Sequence, residues 1–371
     1  MRARSHRVLA VALCGPLVVA TACGSDSDDT SSSEPAAATA AETTVPSSAA
    51  TTAPTATTPT PDETVADASG SAETVEVSDV LGTREVPVTD DGLFALDEYA
   101  GLTLLALGAP ADEVNAFLGD GAAVAVLENA GVTVNQIGRA ELSVEAIAAT
   151  RPEMIVGVGH PNSVNVADPL REISPVVLTD FQRSWDEQMR VLAAATGTEG
   201  RAQELIDIID AKVEQTAEAV RAAGREGMTI SIIVDYGGGQ IVAFGPDSLA
   251  GTLVEQVGLA RPDAEGAEAS AAQDASSGPF ILVAEETLAD HDADIVVGPV
   301  GTFAPVSINE NSLRDAGGEA VAAIPDADVW NANTPLAAYW ILTDLERIVS
   351  GAAEDPLTAD EVITVWEELT R

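Results

Sequence analysis

One stretch constrains the fold more than any other. Residues 198–224 carry Leu205, Ile206, Ile208, Ile209, Val213, Ala217 and Val220 at steps of mostly three and four, the period of an amphipathic helix. Thr198 is placed to cap its start, and Gly224 to supply the left-handed residue that ends it. At about 1.5 Å per residue such a helix spans roughly 35–40 Å, more than a crossover between neighbouring strands requires. Segments of α/β character flank it, each long enough to bury its own core. The expected architecture is two lobes, residues 77–197 and 225–371, joined by helix 198–224 as a rigid strut, with a cleft between them.

The chain opens with Arg2, Arg4 and Arg7 before an apolar run from Val8 to Ala22, the layout of a secretory signal peptide over residues 1–22. Ala20, Thr21 and Ala22 then precede Cys23, a segment that resembles the lipobox directing diacylglyceryl attachment, with Ala20 where leucine is usual. Cys14 does not compete, because bulky Leu13 stands where a small residue is needed. After cleavage Cys23 is the only cysteine left, and an unpaired thiol in an oxidising compartment makes better sense as a lipid anchor. Residues 23–76 read as that cysteine followed by an acidic tether of Ser, Thr, Ala and Pro without one Lys or Arg, a composition that cannot repay the entropy of ordering. As a flexible coil it spans on the order of 40 Å. Every aromatic residue lies beyond it, the first being Phe94, and the fold is expected to begin near Val75.

Without Arg2, Arg4 and Arg7 the 17 basic residues fall to 14 against 60 acidic ones, a formal balance of −46. So acidic a surface argues against nucleic acid and anionic headgroups as partners and is read first as a solubility and salt adaptation. No apolar run after Cys23 is long enough to span a bilayer, so contact with the membrane is expected through the lipid alone.

In the first lobe an edge hairpin is expected around Leu81-Gly82-Thr83, then a strand from Leu93, helices from Asp97 and Ala122, a Ser143-capped helix, a buried strand from Met154, a strand from Val176 and a Ser184-capped helix. The second lobe repeats strand and helix from Thr229 onward, and such alternation implies sheets covered by helices. Set without gaps at an offset of 141, Glu286 falls on Glu145, Leu288 on Ile147, and Ile295, Val296 and Val297 on Met154, Ile155 and Val156. Each lobe then carries a glutamate in the first turn of a helix. His291 follows on the second of these helices and reads as solvent-facing.

These stretches resemble the solute-binding lipoproteins of ABC importers for ferric siderophores, haem and cobalamin, over roughly residues 75–371. The markers are Leu81-Gly82-Thr83 with Glu85-Val86-Pro87, Ala95 to Tyr99 leading into Leu104 to Gly108, Glu145 to Ile155, Ile173 to Val177, Glu286 to Val297 and Pro335 to Ile348, in order around one long helix. The resemblance implies an α/β fold of two Rossmann-like lobes joined by that helix, limited closure on the ligand, and a monomer with no intrinsic cofactor. It also implies permease docking through Glu145 and Glu286. Read without the resemblance, either glutamate merely complements its helix dipole, worth about 0.3–1 kcal/mol.

His160 follows the strand from Met154, where an α/β crevice opens. Loop positions add Asn162, Arg183, Trp185, Tyr236, Trp330 and Asn331 as candidate ligand contacts, and Arg139 as a candidate cation. Trp185 and Trp340 fall in helices, where core packing is the default. Leu249 and Pro299-Val300 stand where catecholate-type binders of the family carry arginines, so the resemblance favours a neutral or weakly charged iron(III) chelate such as a hydroxamate complex; cobalamin and haem remain alternatives. His160 and His291, the two histidines of the exported chain, are too few for a multi-histidine metal site. The chain has no G-x-S-x-G elbow, H-E-x-x-H or phosphate-binding loop, so an enzyme is not expected. A tethered ligand sensor without transport would share every feature except the paired glutamates.

Overall fold

The computed structural model describes residues 73–117, 121–138, 142–236, 240–271, 279–299, 320–324, 327–350 and 356–371. The signal peptide, Cys23, nearly all of the tether and Arg139 lie outside the described residues. The first described element begins at Thr74, slightly before the expected boundary, in an antiparallel hairpin of β1 (Thr74–Asp79) and β2 (Gly82–Pro87). Five parallel strands follow: β3 (Leu93–Ala95), β4 (Glu113–Ala116), β5 (Thr133–Gln136), β6 (Met154–Val158) and β7 (Val176–Thr179), in the order β5-β4-β3-β6-β7. Every residue of β3, β6 and β7 is buried, as a sheet covered on both faces requires.

The hairpin closes the outer edge of this sheet through side chains. The buried Asp79 carboxylate accepts from the amides of Leu178 and Leu81 at 2.8 Å and from Arg84 Nη1 at 2.7 Å, while Arg84 also reaches the Val176 carbonyl. Gly159 permits the approach, since a Cβ there would stand 2.7 Å from Val80 Cγ2 and 2.8 Å from the Thr179 carbonyl oxygen.

The second sheet contains β8 (Ile230–Asp235), β9 (Ile241–Phe244), β10 (Phe280–Val283), β11 (Ile295–Pro299) and β12 (Ala320–Ile324), in the order β10-β9-β8-β11-β12. Numbered from the first strand of each lobe, both sheets run third, second, first, fourth, fifth. The lobes differ in direction only at the second strand, β9, which is antiparallel to β8 and β10. The helix-then-strand unit aligned in the sequence falls on equivalent places, before β6 and β11. Its first copy is the α-helix Val144–Thr150; its second is a tighter 3-10 helix, Glu285–His291, rather than the expected α-helix.

The connecting helix runs from Glu199 to Ala222. Thr198 stands at its N-cap, but the hydroxyl bonds Thr196 Oγ1 at 2.8 Å and not the helix, while Gly224 takes φ +69° as expected. Its buried face of Ala202, Leu205, Ile206, Ile209, Lys212, Thr216 and Val220 packs chiefly on helix Pro335–Ser350. Lys212, the chain's single lysine, pairs there with Glu346 at 2.8 Å, and the Thr216 hydroxyl donates to the same carboxylate at 3.0 Å. Near the other end Arg201 donates to the carbonyls of Ala106 at 3.2 Å and Thr370 at 3.1 Å. The last helix, Val362–Thr370, thereby meets first-lobe helix Ala122–Asn129 as well as Pro335–Ser350.

Candidate functional site

In both sheets the strand order reverses beside the first strand, and the C-terminal ends of the strands flanking that point open the crevice in which such folds bind ligands. In the first lobe these are the ends of β3 and β6. Asp97, directly after β3, caps helix Glu98–Ala106 by accepting from Ala100 N at 2.8 Å, and its second oxygen accepts from Val158 N at 2.7 Å. Burial raises the Asp97 carboxyl above the usual carboxylate range, against the opposing pull of those two amides and of His160. Asp97 thus ties the two strand ends that border the crevice.

His160 lies directly beyond β6, exposed as the N-cap of the short helix Pro161–Asn165, with its ring 5.3 Å from that of Phe181 at a 31° tilt. Asn162 is exposed in the same turn. Arg183 is also exposed, with its guanidinium 3.7 Å both from Asp180 and from Glu187 in the helix that follows. Trp185 opens the next helix half-buried against the main core, the default given to it by sequence.

From the second lobe Tyr236 stands at the end of β8, and its hydroxyl donates to Asn331 Oδ1 at 3.0 Å. Asn331 is fixed in turn by donating to the Ala327 carbonyl at 2.8 Å. These two predicted contacts therefore form one unit. Trp330 differs from expectation: it is 1% exposed and its indole N–H is spent on Asp344 Oδ2 at 2.9 Å, so it braces this segment from behind and does not face a ligand. Trp340 is fully buried, as expected of a helical tryptophan.

A narrow recess of about 20 Å³ lies between the lobes. Glu98, Tyr99 and Gly121 line it from the first lobe, Asp328, Val329 and Leu336 from the second; none of the contacts predicted from sequence does. Glu98 is buried, with Oε2 accepting from Phe117 N at 3.0 Å, and Asp328 is buried opposite. Neither carboxylate carries a sequence motif; both are found only because the chain returns to one seam from distant positions.

Glu145 and Glu286 are both exposed. Each stands in the first turn of a helix that starts at the crevice end of its sheet, because β5 and β10 both finish there. Ser143 caps the first of these helices, accepting from Ala146 N at 3.2 Å. His291, read as solvent-facing, is instead 4% exposed, its ring held by the buried Glu265. Among the described residues no group of three or more His, Cys, Asp or Glu side chains could hold a metal ion, and no helix is long and apolar enough to cross a membrane.

Residues 109–301 match the family described as periplasmic binding protein. The chain belongs to that family. Its members are binding proteins, not enzymes. Solved structures of the same fold include Staphylococcus aureus SirA complexed with staphyloferrin B, with a TM-score of 0.61 at 16% identity, covering 74% of this chain and 98% of that one. Staphylococcus aureus FhuD2 with bound ferrioxamine B aligns with a TM-score of 0.54 at 19% identity, covering 71% and 99%. The periplasmic catecholate-siderophore binding protein VctP from Vibrio cholerae aligns with a TM-score of 0.55 at 18% identity, covering 74% and 100%. No curated protein sequence matches the chain.

Proposed function

We propose that this binding protein captures a ferric siderophore outside the cytoplasm and delivers it to an ABC importer permease, held to the membrane by a lipid on Cys23. The reading is carried by the pair of lobes with one strand order, each with a reversal point of the kind at which such folds bind ligands; His160 follows β6 beside the first and Tyr236 follows β8 beside the second. SirA and FhuD2, which share the fold, were solved with siderophores bound. Support for delivery comes from Glu145 and Glu286, exposed at the crevice end of equivalent elements, where two carboxylates can meet cationic side chains of one partner.

The chelate is neutral or weakly charged. Arg183 is flanked by Asp180 and Glu187, and Glu98 and Asp328 put carboxylates on the interlobe recess, an arrangement poorly suited to a highly anionic catecholate. Purification from iron-starved native cells, with mass spectrometry of the bound ligand, tests this directly. An iron(III) hydroxamate is the expected result; haem or cobalamin would overturn the siderophore reading while leaving the family intact. Charge reversal at both Glu145 and Glu286 tests delivery: an importer component loses uptake and keeps its ligand, whereas a tethered sensor is indifferent.

A further inference from the structure

The internal repeat exposes an asymmetry in how the two exposed glutamates are held. At the 141-residue offset Ile147 corresponds to Leu288 and Thr150 to His291. In the first lobe Ile147 is 1% exposed and plugs its helix into the core, while Thr150 is exposed and only bonds back to the Ile147 carbonyl at 2.8 Å. In the second lobe Leu288 is only half-buried, the element is a 3-10 helix without a side-chain cap, and 3-10 geometry is the weaker of the two. The apolar anchor is weaker, for Leu288 packs on its cluster only partly buried. What supplements it is His291, at the far end of the turn, with Nδ1 3.0 Å from Glu265 Oε1.

Glu265 is fully buried and serves as a hub. Its carboxylate accepts from the Ser231 hydroxyl in β8 and pairs with buried Arg261, which also donates to the Phe244 carbonyl at the end of β9. The His291 ring is thus fastened to two strands of the sheet through one carboxylate. A buried carboxylate with several donors is costly to disturb, so its position is well determined.

We propose that Glu265, acting through His291, is a positioning residue for Glu286: the buried pair fixes the short turn whose opposite end presents that carboxylate to the permease. The inference rests on the docking role proposed for Glu286. It assigns to a cluster far from the crevice an effect on delivery but none on ligand capture.

The test compares His291→Leu, which fills the space and deletes the bond, with His291→Asn, whose amide can still donate to Glu265, and with Glu286→Arg, all in the full-length chain. Hydrogen exchange of the amides in residues 285–292 reads the turn itself. His291→Leu is expected to accelerate it about tenfold or more, and His291→Asn to leave it within about threefold of the parent. Uptake of radioactive iron from conditioned medium of iron-starved cells reads delivery, and iron retained by the purified protein from the same medium reads capture. His291→Leu should raise the protein level needed for half-maximal uptake about fivefold or more with retention unchanged, and His291→Asn should restore it. Should His291→Leu fail to fold, Ser231→Ala removes one donor from Glu265 without touching the turn and should give an intermediate acceleration. Unchanged exchange in these variants overturns the proposal. So does faster exchange with normal uptake while Glu286→Arg abolishes uptake, because docking would then not need the anchor. Normal uptake in Glu286→Arg overturns the docking reading itself, and the proposal with it.

Discussion

Asn333 donates its side-chain amide to the carbonyl oxygen of Arg183 at 2.8 Å, a hydrogen bond made directly from the second lobe to the first. The same carbonyl accepts from Gln188 Nε2 at 3.0 Å, and Gln188 Oε1 accepts from the Thr179 hydroxyl at 2.8 Å, so the accepting carbonyl is itself held by a side chain fixed to β7. On the other side Asn333 lies two residues beyond Asn331, which holds the Tyr236 hydroxyl. The spacing of the two lobes beside Tyr236 is therefore set in part by a bond that Tyr236 does not itself make.

Replacing Asn333 by alanine should loosen that spacing without unfolding either lobe. A net contribution of about 0.5–1.5 kcal/mol per hydrogen bond converts to a roughly twofold to tenfold weaker hold between the lobes. Distances between spin labels placed one on each lobe should broaden in Asn333→Ala, and denaturant stability should fall by about 1 kcal/mol or less. An unchanged distance distribution would show that the remaining interlobe packing is sufficient.

A second prediction concerns pH. Burial pushes the Asp344 carboxyl up to about 7, against the opposing influence of the Leu357 amide, the Trp330 indole and Arg347. Between the ordinary carboxylate range and that value the native state holds a proton that the unfolded chain has released. This group's contribution to stability is therefore largest at acid pH and is lost as pH rises toward neutrality, at up to about 1.4 kcal/mol per pH unit. Asp344→Asn should remove that slope. Unfolding midpoints of the two proteins should converge from pH 5 to pH 8, since the variant's fixed loss of one hydrogen bond, to Trp330 or to Leu357, is offset by the rising cost of ionising the parent. Parallel curves would mean that Asp344 does not titrate in this range.

How much of this was legible in the chain depends on where the determining contacts lie. The connecting helix was readable because its period, its Gly224 stop and its flanking segments are all local. Strand β6 was readable because Met154 to Val158 is a continuous apolar run, and so was the correspondence of Glu145 with Glu286. Strands β4 and β5 were not found: Glu-Val-Asn-Ala and Thr-Val-Asn-Gln are short and polar, and pairing with β3 and with each other makes them strands. His291 was misread because Asp290 and Asp292 flank it, whereas the Glu265 that buries it lies 26 residues earlier. Trp330 looked available for the same reason, since Asp344 takes its N–H from 14 residues downstream. Polar burial decided by one distant partner leaves no periodic trace.

A third prediction concerns the lipid anchor proposed at Cys23. If Cys23 carries the anchor, Cys23→Ala moves the protein from the membrane fraction to the medium. Its ligand content should not change, because Cys23 belongs to none of the elements that carry the candidate ligand contacts. Retention of the variant at the membrane would count against lipid attachment at this residue.

The last prediction is that closure on the ligand is slight. A continuous helix resists the bending that a pair of flexible strands allows, and this one is fastened near its start and again past its middle: Arg201 holds the Ala106 carbonyl of the first lobe, while Lys212 and Thr216 hold Glu346 of helix Pro335–Ser350. The final helix adds a second crossing, since Arg201 also grips Thr370 and the helix packs on Ala122–Asn129. Residual rocking should concentrate just past the helix, where Gly224 and Gly227 take φ of +69° and +77°. Lys212→Met leaves Glu346 without its cation and should cost about 1–3 kcal/mol in denaturant unfolding, with the strut loosened. Solution scattering before and after loading with the natively bound chelate should show little compaction in the parent protein and more in Lys212→Met. A large compaction in the parent would show that residues 198–224 do not act as one rigid helix.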